Sequence, residues 1–360
     1  FPDVNTVCLK GDDHWFGGYS RIAHFSSNTP EEITFFGTGN GLPEDKVTAL
    51  YLDQNNDLYI GTEHRGLYVK RNGSSRIIPL FISRNSLENI INAIDGYADS
   101  IVVATNNGVY SLQPSTGRRH SFTTVNGLPH NKINDVLIDS QGVAWIATIT
   151  PGLISINSHK QFLIEGKPRY EFKTLAENDD GVLWAGTRGN GVFRFSEDSL
   201  RWYSAKEGLK NNYTYAIGID PGGYIWVGHR QGLSRIHQED GTIRTYGKES
   251  GFTTDILENA IATDNNGKMF LGTTGGIIQY DAFQAKEDTI PPRLSLKSVV
   301  ISDTPYDPSE PIRLKYGKYK VRIDFVGINL SNPEEVTYQF KLDGHEEEWR
   351  DFSNESFAYY

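Results

Sequence analysis

A two-residue signal, Gly-Thr or a close variant, recurs at Gly17, Gly61, Ala104, Ala147, Gly186, Gly228 and Gly272, with spacings of 44, 43, 43, 39, 42 and 44 residues. A period that regular means one supersecondary unit stacked seven times, each copy too small to bury its apolar face alone. Each anchor closes a short apolar run with an aromatic in or near it, as in Trp15-Phe16-Gly17-Gly18, Tyr59-Ile60-Gly61-Thr62, Trp145-Ile146-Ala147-Thr148, Trp184-Ala185-Gly186-Thr187 and Trp226-Val227-Gly228-His229. Such runs are strands.

The rest of the unit follows from its anchor. About eight residues upstream an apolar run ends in Asp, as at Asp53, Asp95, Asp139, Asp220 and Asp264, and turn formers such as Gln54-Asn55-Asn56-Asp57 or Pro221-Gly222-Gly223 lead on to the anchor strand. That is a hairpin, with the Asp expected to accept backbone N–H bonds in its turn. Downstream, Gly66-Leu67, Gly108-Val109, Gly191-Val192 and Gly232-Leu233 open a third strand, and a fourth follows in segments such as Ile243-Arg244-Thr245-Tyr246. Four antiparallel strands in about 43 residues match one propeller blade, so residues 1–285 are expected to form a seven-bladed β-propeller around a central channel. No helical-period apolar stripe competes with that expectation.

The seventh repeat has three strands, ending at Ile277-Ile278-Gln279-Tyr280, and no fourth is visible before Pro291-Pro292. The missing strand is expected upstream of Phe1. A linker is placed at 286–292 and a second β-domain at 293–360, where Leu294–Ile301, Lys320–Phe325 and Tyr338–Leu342 alternate apolar and polar residues. That segment holds about 70 residues, against roughly 100 for an immunoglobulin-like sandwich. A partial sandwich with an open edge is expected, which makes the whole chain all-β. The start at Phe1 and the end inside an apparent strand read as cuts in a longer protein.

A formal net charge of −10 and the lack of any Lys/Arg run argue against a nucleic-acid partner, whose recognition needs a concentrated basic face. No run approaches the roughly 20 apolar residues of a membrane span. The single cysteine, Cys8, lies in a first strand and is expected to be a small buried hydrophobe.

The phrase Asn40-Gly41-Leu42-Pro43, then Val47, Asp53, Leu58-Tyr59-Ile60-Gly61-Thr62 and Gly66-Leu67, is repeated from Asn126-Gly127-Leu128-Pro129 through Gly152-Leu153. It resembles the two-component-regulator propeller repeat. The tail, through Tyr338-Gln339-Phe340-Lys341-Leu342-Asp343-Gly344, Trp349 and Tyr359-Tyr360, is similar to the Tyr-rich (YYY) sandwich domain that follows those propellers. The resemblance implies the periplasmic sensor region of a hybrid two-component histidine kinase of the Bacteroidetes type. It further implies a homodimeric full-length protein whose membrane helix, kinase core, receiver and DNA-binding part follow Tyr360, together with recognition of glycan fragments and control of glycan-utilisation genes. The chain departs from that pattern in holding one ring and a partial sandwich.

In a four-stranded meander, the loop entering the first strand and the loop between strands two and three emerge on one face. That face collects His64, Arg65, Arg188, Asn190, Tyr213, His229 and Arg230. Guanidinium forks pair bidentately with carboxylate or sulfate, while amides and an aromatic ring suit sugar hydroxyls and ring faces. An oligosaccharide, acidic or neutral, is the expected ligand; solvated turn residues or contacts to a neighbouring propeller are the alternative. No catalytic motif, phosphate loop or cysteine pair is present, and no cofactor or metal is expected. Asp53–Asp57 opens like a calcium loop but has Leu58 and His64 where such a loop needs Gly and Glu. Two other readings stay open: a lyase-type propeller enzyme using His64, His130 or His229 as a base, counted against because no His/carboxylate cluster is evident on one blade, and a non-catalytic assembly scaffold.

Overall fold

The computed structural model describes residues 3–158, 160–164, 169–196, 199–230, 232–264, 266–281, 293–328, 336–350, 353 and 355–360. The chain divides into two compact units, Phe1–Gln284 and Ala285–Tyr360. The linker expected at 286–292 lies outside the described residues. Helical turns among the described residues are confined to short 3-10 segments such as Thr38–Asn40 and Thr124–Asn126.

Seven antiparallel sheets follow one another through the first unit. The first runs through β1 (Thr6–Lys10), β2 (Asp13–Gly17), β3 (Arg21–Ser26) and β4 (Thr29–Gly37), and the second through β5 (Val47–Leu52), β6 (Leu58–Thr62), β7 (Leu67–Lys70) and β8 (Ile77–Phe81). The third comprises β9 (Ile91–Tyr97), β10 (Ser100–Thr105), β11 (Gly108–Gln113) and β12 (Arg118–Phe122). The fourth contains β13 (Asp135–Ile138), β14 (Ala144–Ala147), β16 (Gly152–Ser155) and β17 (Gln161–Leu163). The fifth contains β18 (Tyr170–Glu177), β19 (Leu183–Thr187), β20 (Val192–Ser196) and β21 (Ser199–Tyr203), with β15 (Ile149–Thr150) added at the β18 edge. The sixth is β22 (Ala216–Ile219), β23 (Tyr224–His229), β24 (Gly232–His237) and β25 (Ile243–Tyr246). The seventh has three strands among the described residues, β26 (Ile256–Thr263), β27 (Lys268–Thr273) and β28 (Gly276–Asp281). First strands lie side by side in the order β1, β5, β9, β13, β18, β22, β26, and β26 lies against β1.

The geometry explains the repeated Gly-Thr. The anchor ends each second strand, where the residue entering the next sheet packs on it: a Cβ at Gly61 would stand 2.5 Å from Ile91 Cγ2, and one at Gly17 2.6 Å from Val47 Cγ1. Only a residue with little or no side chain fits. At the seventh anchor, Gly272 faces Val4, and Val4 N donates to Thr273 O at 3.1 Å. The threonine that follows holds the turn to the third strand, since Thr62 Oγ1 donates to Gly66 O at 2.8 Å and accepts from Arg65 N at 3.1 Å. Thr105, Thr187 and Thr273 make the same two contacts.

The Asn-Gly-Leu phrase joins one sheet to the next. Asn40 Oδ1 accepts from Gly37 N across the 3-10 turn, Gly41 takes φ 99°, which favours glycine, and Leu42 is buried between the sheets. Stacking of neighbouring sheets buries Trp145, Trp184 and Trp226 almost completely.

The turn aspartates hold in four of the five expected places. Asp220 Oδ1 accepts from Gly222 N (2.9 Å) and Tyr224 N (3.1 Å), while Oδ2 accepts from Trp226 Nε1 at 2.7 Å. Asp139 does the same for its hairpin and Trp145, and Asp53 and Asp264 each accept two turn N–H groups. Asp95 is the exception. Its strand runs on to Tyr97, so Asp95 sits inside β9 and its Oδ2 accepts from Ile138 N of the next sheet at 2.6 Å. Asp135 repeats that crossing one sheet later, accepting from Leu175 N at 2.8 Å. Cys8 is half-buried in β1, and burial pushes its thiol up to about 12.

The second unit contains one antiparallel sheet among the described residues, ordered β30 (Thr304–Tyr306), β29 (Arg293–Ile301), β31 (Val321–Ile328), β32 (Phe357–Tyr359). Tyr338–Leu342, expected as a strand, makes only the isolated bridge Tyr338–Ser353. Tyr338 and Phe340 instead lay their rings 5.1 and 5.7 Å from that of Phe325, so this segment covers the sheet rather than extending it.

Candidate functional site

Loops entering the first strands are tied to those following the second strands, as the four-stranded pattern requires. Glu63 N donates to Lys46 O at 3.0 Å, Arg188 N to Glu171 O at 2.9 Å, Gly191 N to Asn212 O at 2.7 Å and Thr274 N to Asp255 O at 3.1 Å. Both sets therefore share a face.

The sequence-derived residues divide on that face. Arg65 and His64 are exposed, as are Arg188 and Arg230, but two of the three guanidiniums have acidic neighbours. Arg188 Nη1 lies 3.6 Å from Glu171 Oε1, and Arg230 Nε 3.2 Å from Asp255 Oδ2, so the face is less positive than its arginines suggest. Tyr213 is half-buried with its ring 4.6 Å from that of Tyr215, and the Arg188 guanidinium stands 5.8 Å from the Tyr213 ring. Asn190 is half-buried; its N–H donates to Thr187 Oγ1 and its carbonyl accepts from Trp202 Nε1.

His229 does not belong to this surface. It is wholly buried, with Nδ1 2.9 Å from Tyr213 O and Nε2 2.9 Å from Ser234 Oγ, and burial holds its pKa down at about 4. It stands where other repeats carry Thr62, Thr105, Thr187 and Thr273, but its ring bonds to the entering loop at Tyr213 and to Ser234 instead of closing its own turn, much as Thr148 Oγ1 donates to Lys132 O at 2.7 Å. That substitution was the signal in the sequence for a structural role.

A His/carboxylate cluster, absent from the sequence reading, does occur on the second sheet. Asp45, Glu63 and His64 bring one ligand-type atom each within 4.8 Å of one another. Asp45 is buried; its Oδ2 accepts from His64 N (2.6 Å) and its Oδ1 from Lys46 N (2.9 Å), while His64 Nδ1 lies 3.3 Å from Oδ1. A cation could use this set only in competition with those N–H groups.

A polar concavity of the first unit lies elsewhere, where the first strands begin. A cavity of about 310 Å³ is lined from every one of the seven sheets, among others by Asn5, Lys46, Asn92, Lys132, Lys173, Tyr215 and Glu258. A deeper cavity of about 170 Å³ shares Thr48, Asn92 and Asn259 with it and reaches Asp135 and Ile261. Several of these side chains also tie sheet to sheet: Thr48 Oγ1 donates to Ile91 O (2.5 Å), Asn92 Nδ2 to Ile133 O (2.6 Å) and Asn134 Nδ2 to Phe172 O (2.6 Å). Asn259 Oδ1 is a buried acceptor without a partner among the described residues. Sequence reasoning missed this mouth because its residues come one or two per repeat at non-equivalent spacings. The Asn92 and Asn134 positions, each following an isoleucine at the start of a first strand, were the available signal.

Burial pushes the Asp95 carboxyl up to about 6 and that of Asp135 up to about 7, partly offset by the N–H groups each accepts. Burial likewise raises Tyr213 and Tyr215, so both rings stay neutral donors. Amides, lysines and the neutral Tyr215 line the cavity, and among the described residues no nucleophile–base pair is aimed into it.

Successive antiparallel sheets with polar loops gathered on one face define a propeller-like scaffold. Residues 41–64 and 127–150 match the family model described as two component regulator propeller, so the chain carries repeats of that family. It is 20% identical over 254 residues to histidine kinase P4 of Formosa agariphila, an alignment that covers 63% of this chain and 18% of that protein. Its fold resembles the extracellular domain of a putative hybrid two-component system from B. thetaiotaomicron, at 19% identity and TM-score 0.70, over 100% of this chain and 51% of that one. It also resembles a streptogramin B lyase, at 16% identity and TM-score 0.62, over 78% of this chain and 94% of the lyase. At such identities these structural likenesses concern the fold alone, and the chain spans about half of the solved ectodomain and under a fifth of the kinase.

Proposed function

We propose that this chain is the ligand-sensing, periplasmic part of a hybrid two-component signalling protein, and that its ligand is an oligosaccharide whose arrival controls glycan-utilisation genes. In this reading the seven sheets are the blades of one closed propeller, and the second unit belongs to a sandwich domain that passes the signal on, in a dimer, toward the membrane. The observation that carries it is the polar mouth to which all seven sheets contribute, on a chain with two-component regulator propeller repeats. A cavity of about 310 Å³ falls at the low end of ligand pockets. It has room for a terminal sugar unit, leaving the remainder of the ligand to the rim loops bearing Arg65, Arg188 and Tyr213.

A lyase reading is favoured by one observation, the Asp45–Glu63–His64 cluster on a fold also seen in a streptogramin B lyase. Calorimetric titration with a panel of neutral and acidic oligosaccharides, coupled to chromatography of the mixture, separates the two. Micromolar binding with ligand recovered intact supports the sensor; product formation that His64→Ala abolishes sinks it in favour of the enzyme.

A further inference from the structure

Charge is unevenly distributed around the mouth. Lys46 enters the second sheet, Lys132 the fourth, and Lys173 lies in β18 of the fifth. Lys173 is buried and its Nζ is 3.2 Å from Glu258 Oε1, so that pair neutralises itself. The cavity's other carboxylate, Glu63, lies 3.8 Å from His64 Nδ1. Lys46 and Lys132 have no carboxylate within 4.0 Å among the described residues, although both line the same small cavity. Lys46 is half-buried and Lys132 exposed, and two cationic side chains lining one small cavity repel each other, the more so where a neutral ligand displaces the water that screens them. An anion between them removes it.

The rest of the lining suits the remainder of a sugar. Tyr215 from the sixth sheet offers a ring backed by Tyr213, and Asn92, whose Nδ2 is engaged by Asn106 Oδ1 (3.0 Å) and Ile133 O, keeps its Oδ1 for a hydroxyl. Resting on the oligosaccharide reading above, we propose that the mouth selects a sugar unit bearing a single carboxylate, held by Lys46 and Lys132, with its ring face on Tyr215.

The test compares uronate-terminated disaccharides of varied linkage with their methyl esters, which keep the shape and lose the charge. Calorimetric titration at low and high salt should find at least one acid bound about tenfold or more tightly than its ester, as one charge-assisted contact commands. High salt should narrow the gap. Lys132→Met, at an exposed position, should leave the melting temperature unchanged and bring acid and ester within about threefold of each other. Equal binding of acid and ester, or a preference that survives Lys132→Met and Lys46→Met, overturns the carboxylate subsite while leaving the oligosaccharide reading intact. Binding of neutral oligosaccharides only does the same; no binding by any acid, ester or neutral sugar overturns both.

Discussion

The molecule contains a natural experiment on its turn aspartates. In the sixth sheet, Asp220 Oδ1 accepts two turn N–H groups and Oδ2 accepts the indole N–H of buried Trp226 at 2.7 Å. At the matching place in the fifth sheet stands Asn178, whose Oδ1 accepts from Asp180 N (3.1 Å) and Val182 N (2.8 Å), and the Nε1 of buried Trp184 has no acceptor among the described residues. Asp220→Asn should therefore keep the two turn bonds and lose the indole bond, leaving a buried N–H unmet at a cost of about 2 kcal/mol. Asp220→Ala orphans all three donors and should cost about 4 kcal/mol. The reverse change, Asn178→Asp, gives Trp184 its acceptor and should gain about 1 kcal/mol, reduced by repulsion from Asp180 and by the lost donation from Asn178 Nδ2 to Gln238. Urea unfolding followed by tryptophan fluorescence reads all three. A catalytic role for these aspartates predicts the opposite: loss of activity with little loss of stability. If Asp220→Asn unfolds at the wild-type midpoint, the indole bond contributes nothing and the structural account of the repeated Asp fails.

Three further expectations follow from single sites. Asp95 and Asp135 are held by burial at about 6 and about 7, above their ordinary 3.8; the folded chain then binds more protons than the unfolded one between about pH 4 and 7. The stability they contribute is therefore full below about pH 4 and lost as pH rises through 7, opposed between about pH 4 and 6.5 by buried His229, whose lowered pKa adds stability as pH rises; Asp135→Asn should flatten the fall of the urea midpoint between pH 5 and 8, and an unchanged pH profile would contradict the burial. Gly61→Ala places a methyl 2.5 Å from Ile91 Cγ2 and should cost about 1–3 kcal/mol in the same unfolding assay. His229→Thr should unfold at a higher urea concentration than His229→Ala, because a threonine hydroxyl restores a bond to the entering loop of the kind Thr148 makes to Lys132 O; equal midpoints would remove the parallel.

Seven second strands were legible because two local needs, a small residue under the next sheet and a hydroxyl beside the following turn, print Gly-Thr or Ala-Thr in five of the seven repeats and keep the glycine in the other two. Asp95 misled for a related reason: an apolar run ending in Asp marks a hairpin only if the strand stops there, and β9 continues to Tyr97. Tyr338–Leu342 alternates like a strand, yet alternation records only which side chains face a core, and lying across Phe325 satisfies it as well as hydrogen bonding to β31 would. The rim residues were found because loops carry polar side chains at repeated offsets. Whether a guanidinium there is free or paired depends on partners 17 and 25 residues away, such as Glu171 and Asp255, and periodicity does not encode that.

On the proposed reading, the mouth would place recognition and sheet-to-sheet cohesion on the same side chains. Thr48, Asn92 and Asn134 line the cavity and also donate to carbonyls of the next sheet, so a ligand that hydrogen-bonds to their free acceptors polarises bonds that already hold sheets two to five together. Such a ligand touches no single mobile loop. Its binding energy appears as resistance of the whole first unit to opening, about 2.7 kcal/mol at a concentration one hundred times Kd. Asn92→Ala separates the two roles from each other less well than Lys132→Met does, because it removes a seam bond as well as a contact. If the mouth is the site, Asn92→Ala should lower both the ligand-free melting temperature and the shift that ligand produces, whereas Lys132→Met should lower only the shift. A ligand whose stabilisation survives both changes is bound elsewhere, on the arginine rim.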